Sequence, residues 1–222
     1  MFEGFSPETI DFVCNLGLNN EKPWFEAHKV EFQRVYQQPM RALEQAVFAK
    51  VSDGREKYGF IHKLSRIYRD ARYLRPGDGP YRTSLWFSIE KPSAGEWTDT
   101  PVFWFELSAE SWSYGMGYGG AKAETMAKLR ARIDQDAKKF EKLVAFLDKQ
   151  TEFVLEGDDY RRKKEVPSVK VADWYNKKSF SLIHRQTNGA ELFLPDLVDR
   201  IADGMLALMP IYDFLMTLDS EN

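Results

Sequence analysis

The stretch LWFSIE at 85–90 is followed by FWFELS at 103–108 and WSYGMGY at 112–118. Leu85, Phe87 and Ile89 fall on one side of an extended chain, with Trp86, Ser88 and Glu90 on the other. Phe103, Phe105 and Leu107 repeat the pattern against Trp104, Glu106 and Ser108, and Trp112, Tyr114, Met116 and Tyr118 continue it. A period of two is that of a half-buried strand. With a tight turn near Ala109 and Glu110, the three stretches read as an antiparallel meander.

Helical patterns flank the meander. Ser6, Pro7 and Glu8 form a helix start, with Gly17 as its stop. Asn19 or Asn20 is then expected to cap a second helix carrying Phe25, Phe32, Tyr36, Met40, Leu43 and Val47, kinked or divided at Pro39. After the meander, Met126, Leu129, Ile133, Ala137, Phe140, Val144 and Leu147 predict one long amphipathic helix. Phe153–Leu155 and Ser179–His184 read as further strands, with a turn at Thr187–Gly189. Pro195 opens a closing helix with Leu197, Ile201, Met205, Leu208 and Tyr212. The expected fold is α+β, an antiparallel sheet packed with long N-terminal, central and C-terminal helices. With no linker, repeat or low-complexity tract, a single domain over 1–222 is expected.

Composition narrows the function classes. Hydrophobic residues make up 43% of the 222 and charged residues 29%, ordinary values for a globular chain. Sixteen Phe, ten Tyr and six Trp predict an aromatic core. A formal charge of -3 does not suit a protein that coats nucleic acid or anionic membrane. The start of the chain shows no signal-peptide pattern, and the apolar run 205–218 is interrupted by Pro210 and Asp213 and too short to span a bilayer. A soluble, cytoplasmic protein with no membrane partner is expected. Cys14 is the single cysteine and excludes an intrachain disulfide; it is expected to pack as a small apolar residue in the first helix. His28, His62 and His184 have no ligand spacing, so no metal is expected, and no cofactor is called for.

Gly115, Gly117 and Gly120 match G-x-G-x-x-G, but the preceding strand belongs to a hairpin and no acidic strand end follows at the required distance. The better reading is a strand face left bare by Ser113, Gly115, Gly117 and Gly119, open to close approach by a helix or ligand. The run Arg161–Lys164 reads as solvated surface. Among the carboxylates, Asp70 and Glu106 are the two candidates for acid-base work.

The densest chemistry lies in KLSRIYRDARYLRPGDGPYRT at 63–83. Leu64, Ile67, Tyr68 and Ala71 also fit a helical stripe, but the extended reading is preferred and ends a strand near Tyr73. On such a strand Arg66, Tyr68, Asp70 and Arg72 share a face. Two explanations remain for so many guanidinium groups: an ion-pair lattice centred on Asp70, or a pocket that receives an anion. The pocket reading draws on Arg66, Arg69, Arg72, Tyr81 and Arg82, with Asp70 orienting them and Arg130 and Lys178 as additional donors. These groups would bind a small phosphate- or carboxylate-bearing ligand, or stabilise developing negative charge in a reaction; no catalytic residue is assigned. The alternative is a protein-interaction module docking through Trp24, Trp97, Trp112 and Trp174.

Several of these motifs together resemble one family. FEGF at 2–5, Asn19–Asn20 with Trp24–Phe25, Arg69–Asp70 with Arg72–Tyr73, Pro80–Arg82, Leu129–Arg130 and Lys178 with Phe180 resemble the family known as domain of unknown function 2461, in order along nearly the whole chain. The sequence departs from that pattern with Tyr73 in place of phenylalanine, Arg82 in place of the commoner lysine, and a lysine-free loop at 75–79. The resemblance implies a single domain and brings no activity, cofactor or catalytic residue with it.

Overall fold

The computed structural model describes residues 1–92, 100–118 and 120–218. Among them six strands form one antiparallel sheet: β1 (Ile61–Leu64), β2 (Ser84–Glu90), β3 (Val102–Ser108), β4 (Ser111–Gly117), β5 (Val154–Glu156) and β6 (Ser181–Thr187), in the order β1-β2-β3-β4-β6-β5. The meander is therefore β2-β3-β4, and β6 adds to its outer side. Register carries the apolar side across the sheet, from Leu85 to Leu107 to Trp112 and from Phe87 to Phe105 to Tyr114. All six of these side chains are buried.

Helices cover that side. Their residues are α1 (Pro7–Leu18), α2 (Lys22–Phe32), α3 (Gln38–Ser52), α4 (Ala123–Gln135), α5 (Ala137–Val144), α6 (Ala172–Tyr175), α7 (Leu197–Ala207) and α8 (Met209–Met216). Helix α3 packs on β1 and β2, and α7 packs on α3 and β4. The seam is aromatic: Phe5 stacks on Phe105, and Phe103 lies 4.9 Å from Tyr212. Each such buried ring contributes about 2–3 kcal/mol of transfer free energy.

Pro39 acts through what it lacks. Without an N–H it cannot bond the Val35 carbonyl four residues back. The junction between α2 and α3 widens into a π-helical turn at Gln33–Gln37, and the Val35 carbonyl accepts from Thr9 Oγ1 at 2.6 Å, pinning α1 to the turn. In β4, a Cβ on Gly115 would lie 2.0 Å from the Leu182 carbonyl oxygen. The bare strand face thus admits the backbone of β6 rather than a helix or ligand; Gly119 lies outside the described residues.

Four expectations are corrected. The second helix starts with Glu21 at its N-cap, because the Asn20 side chain is engaged with Tyr81. The long central helix breaks at Asp136, whose carboxylate accepts from the Lys139 N–H and starts α5 afresh. The closing helix divides at Leu208, with Pro210 in the first turn of α8. Cys14 is exposed, since α1 turns Phe12, Val13 and Leu16 inward. The run 161–164 is exposed, as a solvated surface should be. Among the described residues no helix is long and apolar enough to cross a membrane.

Candidate functional site

Strand β1 stops at Leu64, so the expected strand ending near Tyr73 does not form. Its two arms nevertheless stay side by side. Arg82 N–H donates to the Ile67 carbonyl at 2.7 Å, Arg69 N–H donates to the Pro80 carbonyl at 2.9 Å, and Tyr68 bridges Tyr81. The tip then closes on itself through two aspartates. Asp70 accepts from the Arg72 N–H at 3.0 Å and caps a 3-10 turn at Ala71–Tyr73; Asp78 accepts from the Arg75 N–H at 3.0 Å. Local side-chain capping has outcompeted the ladder here.

A distant residue fastens this tip. Asn20 Nδ2 donates to the Tyr81 carbonyl and Tyr81 N–H donates to Asn20 Oδ1, both at 3.0 Å, so one amide side chain imitates a neighbouring strand. Gly79 makes room for it, since a Cβ there would lie 2.1 Å from Asn20 Cγ. The Tyr81 ring stacks on Phe25 at 4.1 Å and meets Tyr68 at 5.4 Å. Burial, then the neighbouring Tyr68 and Glu26, raise the Tyr81 pKa.

Beside this clasp lies a cavity of about 240 Å³ lined by Asn20, Arg69, Tyr81, Arg82, Thr83 and Ser84. Bridge partners share a face, so the Tyr68 and Tyr81 rings lie opposite Arg69 and Arg82. Tyr81 therefore contributes a wall, not a hydroxyl donor. Arg69 Nη2 reaches Asp78 Oδ2 at 3.3 Å. Arg82 is half-buried, and its guanidinium has no hydrogen bond or ion pair among the described residues. On the floor, Ser84 Oγ donates to Glu106 Oε1 at 2.6 Å. Tyr36 sets the position of this floor: its hydroxyl donates to the Leu107 carbonyl at 2.6 Å and accepts from the Leu85 N–H at 2.8 Å. Burial pushes the Tyr36 pKa up, which keeps that hydroxyl protonated.

Of the residues expected at the site, Arg69, Tyr81 and Arg82 come together. Arg66 is exposed and lies off the cavity wall. Arg72 grips Asp70, with Nη2 at 2.6 Å from Oδ2, and the two side chains are 79% and 40% exposed; the partners are two residues apart and face solvent. It is not the centre of a buried lattice. The hydrogen bonds from the Arg72 guanidinium and N–H hold the Asp70 carboxyl at about 2, below the usual carboxylate range. Arg130 on α4 lies elsewhere, its guanidinium 5.1 Å over the Tyr160 ring, and Lys178 is exposed beside the Asp159–Lys177 bridge. Asn20, Thr83 and Ser84 are additions. Sequence spacing offers no signal for Asn20, which is 61 residues from the backbone it holds.

Among the described residues the expected tryptophan surface does not form. Trp112 is 1% exposed and Trp174 4%, both in the core, while Trp24 stacks on His28 at 4.1 Å and Trp97 lies outside the described residues. Alternation in β4 turns Trp112 to the helix-covered side, and Phe140 and Phe180 enclose Trp174.

Two other polar regions have less to offer. A larger cavity, about 400 Å³, has Glu141, Asp148 and Asp173 on its wall with Lys142 and Lys170, mixed charges without a convergent donor set. On the covered side of the sheet, Tyr114 donates to the Glu152 carboxylate, and Arg200 Nε lies 3.6 Å from the same group. Arg200 also pairs with Glu191 and lies over the Trp112 ring. His184 Nδ1 is 3.0 Å from the Glu152 carbonyl and Nε2 is 3.4 Å from Arg200 Nη2, so this network satisfies itself. Among the described residues no group of three His, Cys, Asp or Glu could hold a metal ion.

A family model described as Conserved hypothetical protein (DUF2461) matches residues 8–214. No curated protein matches the chain.

Proposed function

We propose, for a chain that belongs to the DUF2461 family, that the cavity between Asn20 and the 67–84 hairpin binds a small oxyanion, a phosphate- or carboxylate-bearing ligand. The observation that carries this reading is Arg82. The Arg82 side chain is half-buried, and its guanidinium, with no hydrogen bond or ion pair among the described residues, faces the solvent of the cavity or an anion held there. Its planar fork matches two oxygens of a carboxylate or phosphate, and Arg69 on the same wall offers donors that Asp78 leaves unused. The structural lattice reading leaves Arg82 unexplained, since its carboxylates, Asp70 and Asp78, are taken by Arg72 and Arg69.

Thermal unfolding in phosphate against chloride at equal ionic strength tests the proposal. A ligand at a hundredfold excess over its Kd stabilises the folded state by about 2.7 kcal/mol. Arg82→Gln should abolish the difference between phosphate and chloride while retaining a cooperative melt. Arg72→Gln, away from the cavity, should retain it. Equal loss in both variants, or a parent in which neither phosphate nor a carboxylate exceeds chloride, would sink the proposal.

A further inference from the structure

The hydrogen bond beneath the cavity gives it a second side. A carboxylate has no proton to offer, so at 2.6 Å the Ser84 hydroxyl must be the donor and Glu106 the acceptor. That engages the only proton Ser84 has. What Ser84 turns toward the cavity is lone pairs. On the same lining, Arg69 and Arg82 present N–H donors and no acceptor. The lining thus offers two unlike groups, cationic donors and a neutral acceptor.

The charges point the same way. Arg69 and Arg82 line the cavity, and behind them stand Asp78, on Arg69, and Glu106, on Ser84. An oxyanion with no proton of its own would satisfy the guanidinium groups and then press bare oxygens against the Ser84 lone pairs and the Glu106 charge. One that carries a hydroxyl would meet both groups correctly. We propose that this site selects an oxyanion bearing a hydroxyl, either on the anionic centre, as in hydrogen phosphate, or on the adjacent carbon, as in a 2-hydroxycarboxylate. This rests on the oxyanion reading above and narrows it. Arg82 and Arg69 take the charge, Ser84 Oγ receives the ligand hydroxyl, and Glu106 is a positioning residue that fixes the direction of the Ser84 proton.

The test compares matched ligand pairs at pH 7 and constant ionic strength: phosphate against sulfate, and glycolate against acetate, with affinity taken from thermal-shift titration. The first pair places the hydroxyl on the anionic centre and the second on carbon, so the two sources separate. In the parent, at least one hydroxyl-bearing member should bind about tenfold more tightly than its partner, the upper end of what one neutral hydrogen bond contributes. Glu106→Gln can donate to Ser84 and free its proton for the cavity; sulfate and acetate should then gain, and the ratio should fall to within about twofold. Ser84→Ala should lose the same preference by weakening the hydroxyl-bearing ligand, and it carries the test if the Gln variant does not fold. Equal affinities within both pairs in the parent, or a preference untouched by Ser84→Ala, would overturn the inference and leave the oxyanion site standing. If no oxyanion exceeds chloride, the oxyanion reading itself falls and takes the inference with it.

Discussion

The loop at 65–84 and the network around Tyr114 are both built on charged side chains and are held in opposite ways. In the loop, Asp70 pairs with Arg72 two residues on and Asp78 with Arg69 nine residues back, partly or largely in solvent. In the network, Tyr114 from β4 meets Glu152, 38 residues later, and Arg200 from α7 closes the group against His184 of β6. The loop is dense in sequence and open in space. The network is dispersed in sequence and rooted in the core. Charge crowded along a chain therefore finds local partners and stays wet, whereas a hydroxyl buried in a sheet recruits a carboxylate from wherever the fold brings one.

The largest expected effect tests the network side. Ending the chain before Pro195 removes Arg200 together with Ile201, Met205, Ile211 and Tyr212, all fully buried. We infer that the chain is one cooperative domain, so the truncated protein should lose its cooperative thermal transition. A sharp melt near the parent temperature would separate the sheet from α7 and α8.

Asn20→Ala comes next, because it removes both hydrogen bonds by which the α1–α2 connection clasps the loop tip, leaving the stacking of Tyr81 on Phe25. The expected loss is about 1–3 kcal/mol in urea unfolding. A loss under about 0.5 kcal/mol would mean that the local turns suffice and that the loop is wholly self-held.

Tyr114→Phe should cost about 1 kcal/mol, the net value of one buried hydroxyl bond, while Glu152 keeps Arg200 as a partner. Its hydroxyl is held protonated by burial and then by Glu152, so no pH dependence from this tyrosine is expected near neutrality.

Asp70→Asn is the smallest. Its partner lies in solvent, and the unfolding midpoint at pH 7 should not change measurably. The sign of any pH effect is set by the depressed folded-state pKa, about 2 against 3.8: the contribution is complete above the unfolded value and disappears as pH falls through about 2. Parent and variant should therefore differ, if at all, above about pH 4 and converge in stronger acid. A midpoint shift larger than that of Tyr114→Phe would invert the comparison.

The sequence by itself determined the three central strands and their covered face, since a period of two in 85–90, 103–108 and 112–118 has one burial solution and a one-residue slip would turn Phe87, Phe105 and Tyr114 outward. It also narrowed the 63–83 stretch to two alternatives, an ion-pair lattice or an anion pocket, because arginines at 66, 69, 72, 75 and 82 exceed the aspartates at 70 and 78. Only the tertiary structure decided which of those arginines is half-buried without a partner among the described residues. Asp70 and Asp78 could each reach several guanidinium groups, and the choice depended on turns at 71–73 and 75–78 that strand periodicity does not encode. The cavity needed still more: Asn20 from the α1–α2 connection, Tyr36 from the turn that Pro39 widens, and Glu106 from β3, brought beside Ser84 by the β2–β3 register. Such contacts join residues 22 to 61 positions apart, where spacing along the chain carries no geometric information until the sheet has formed.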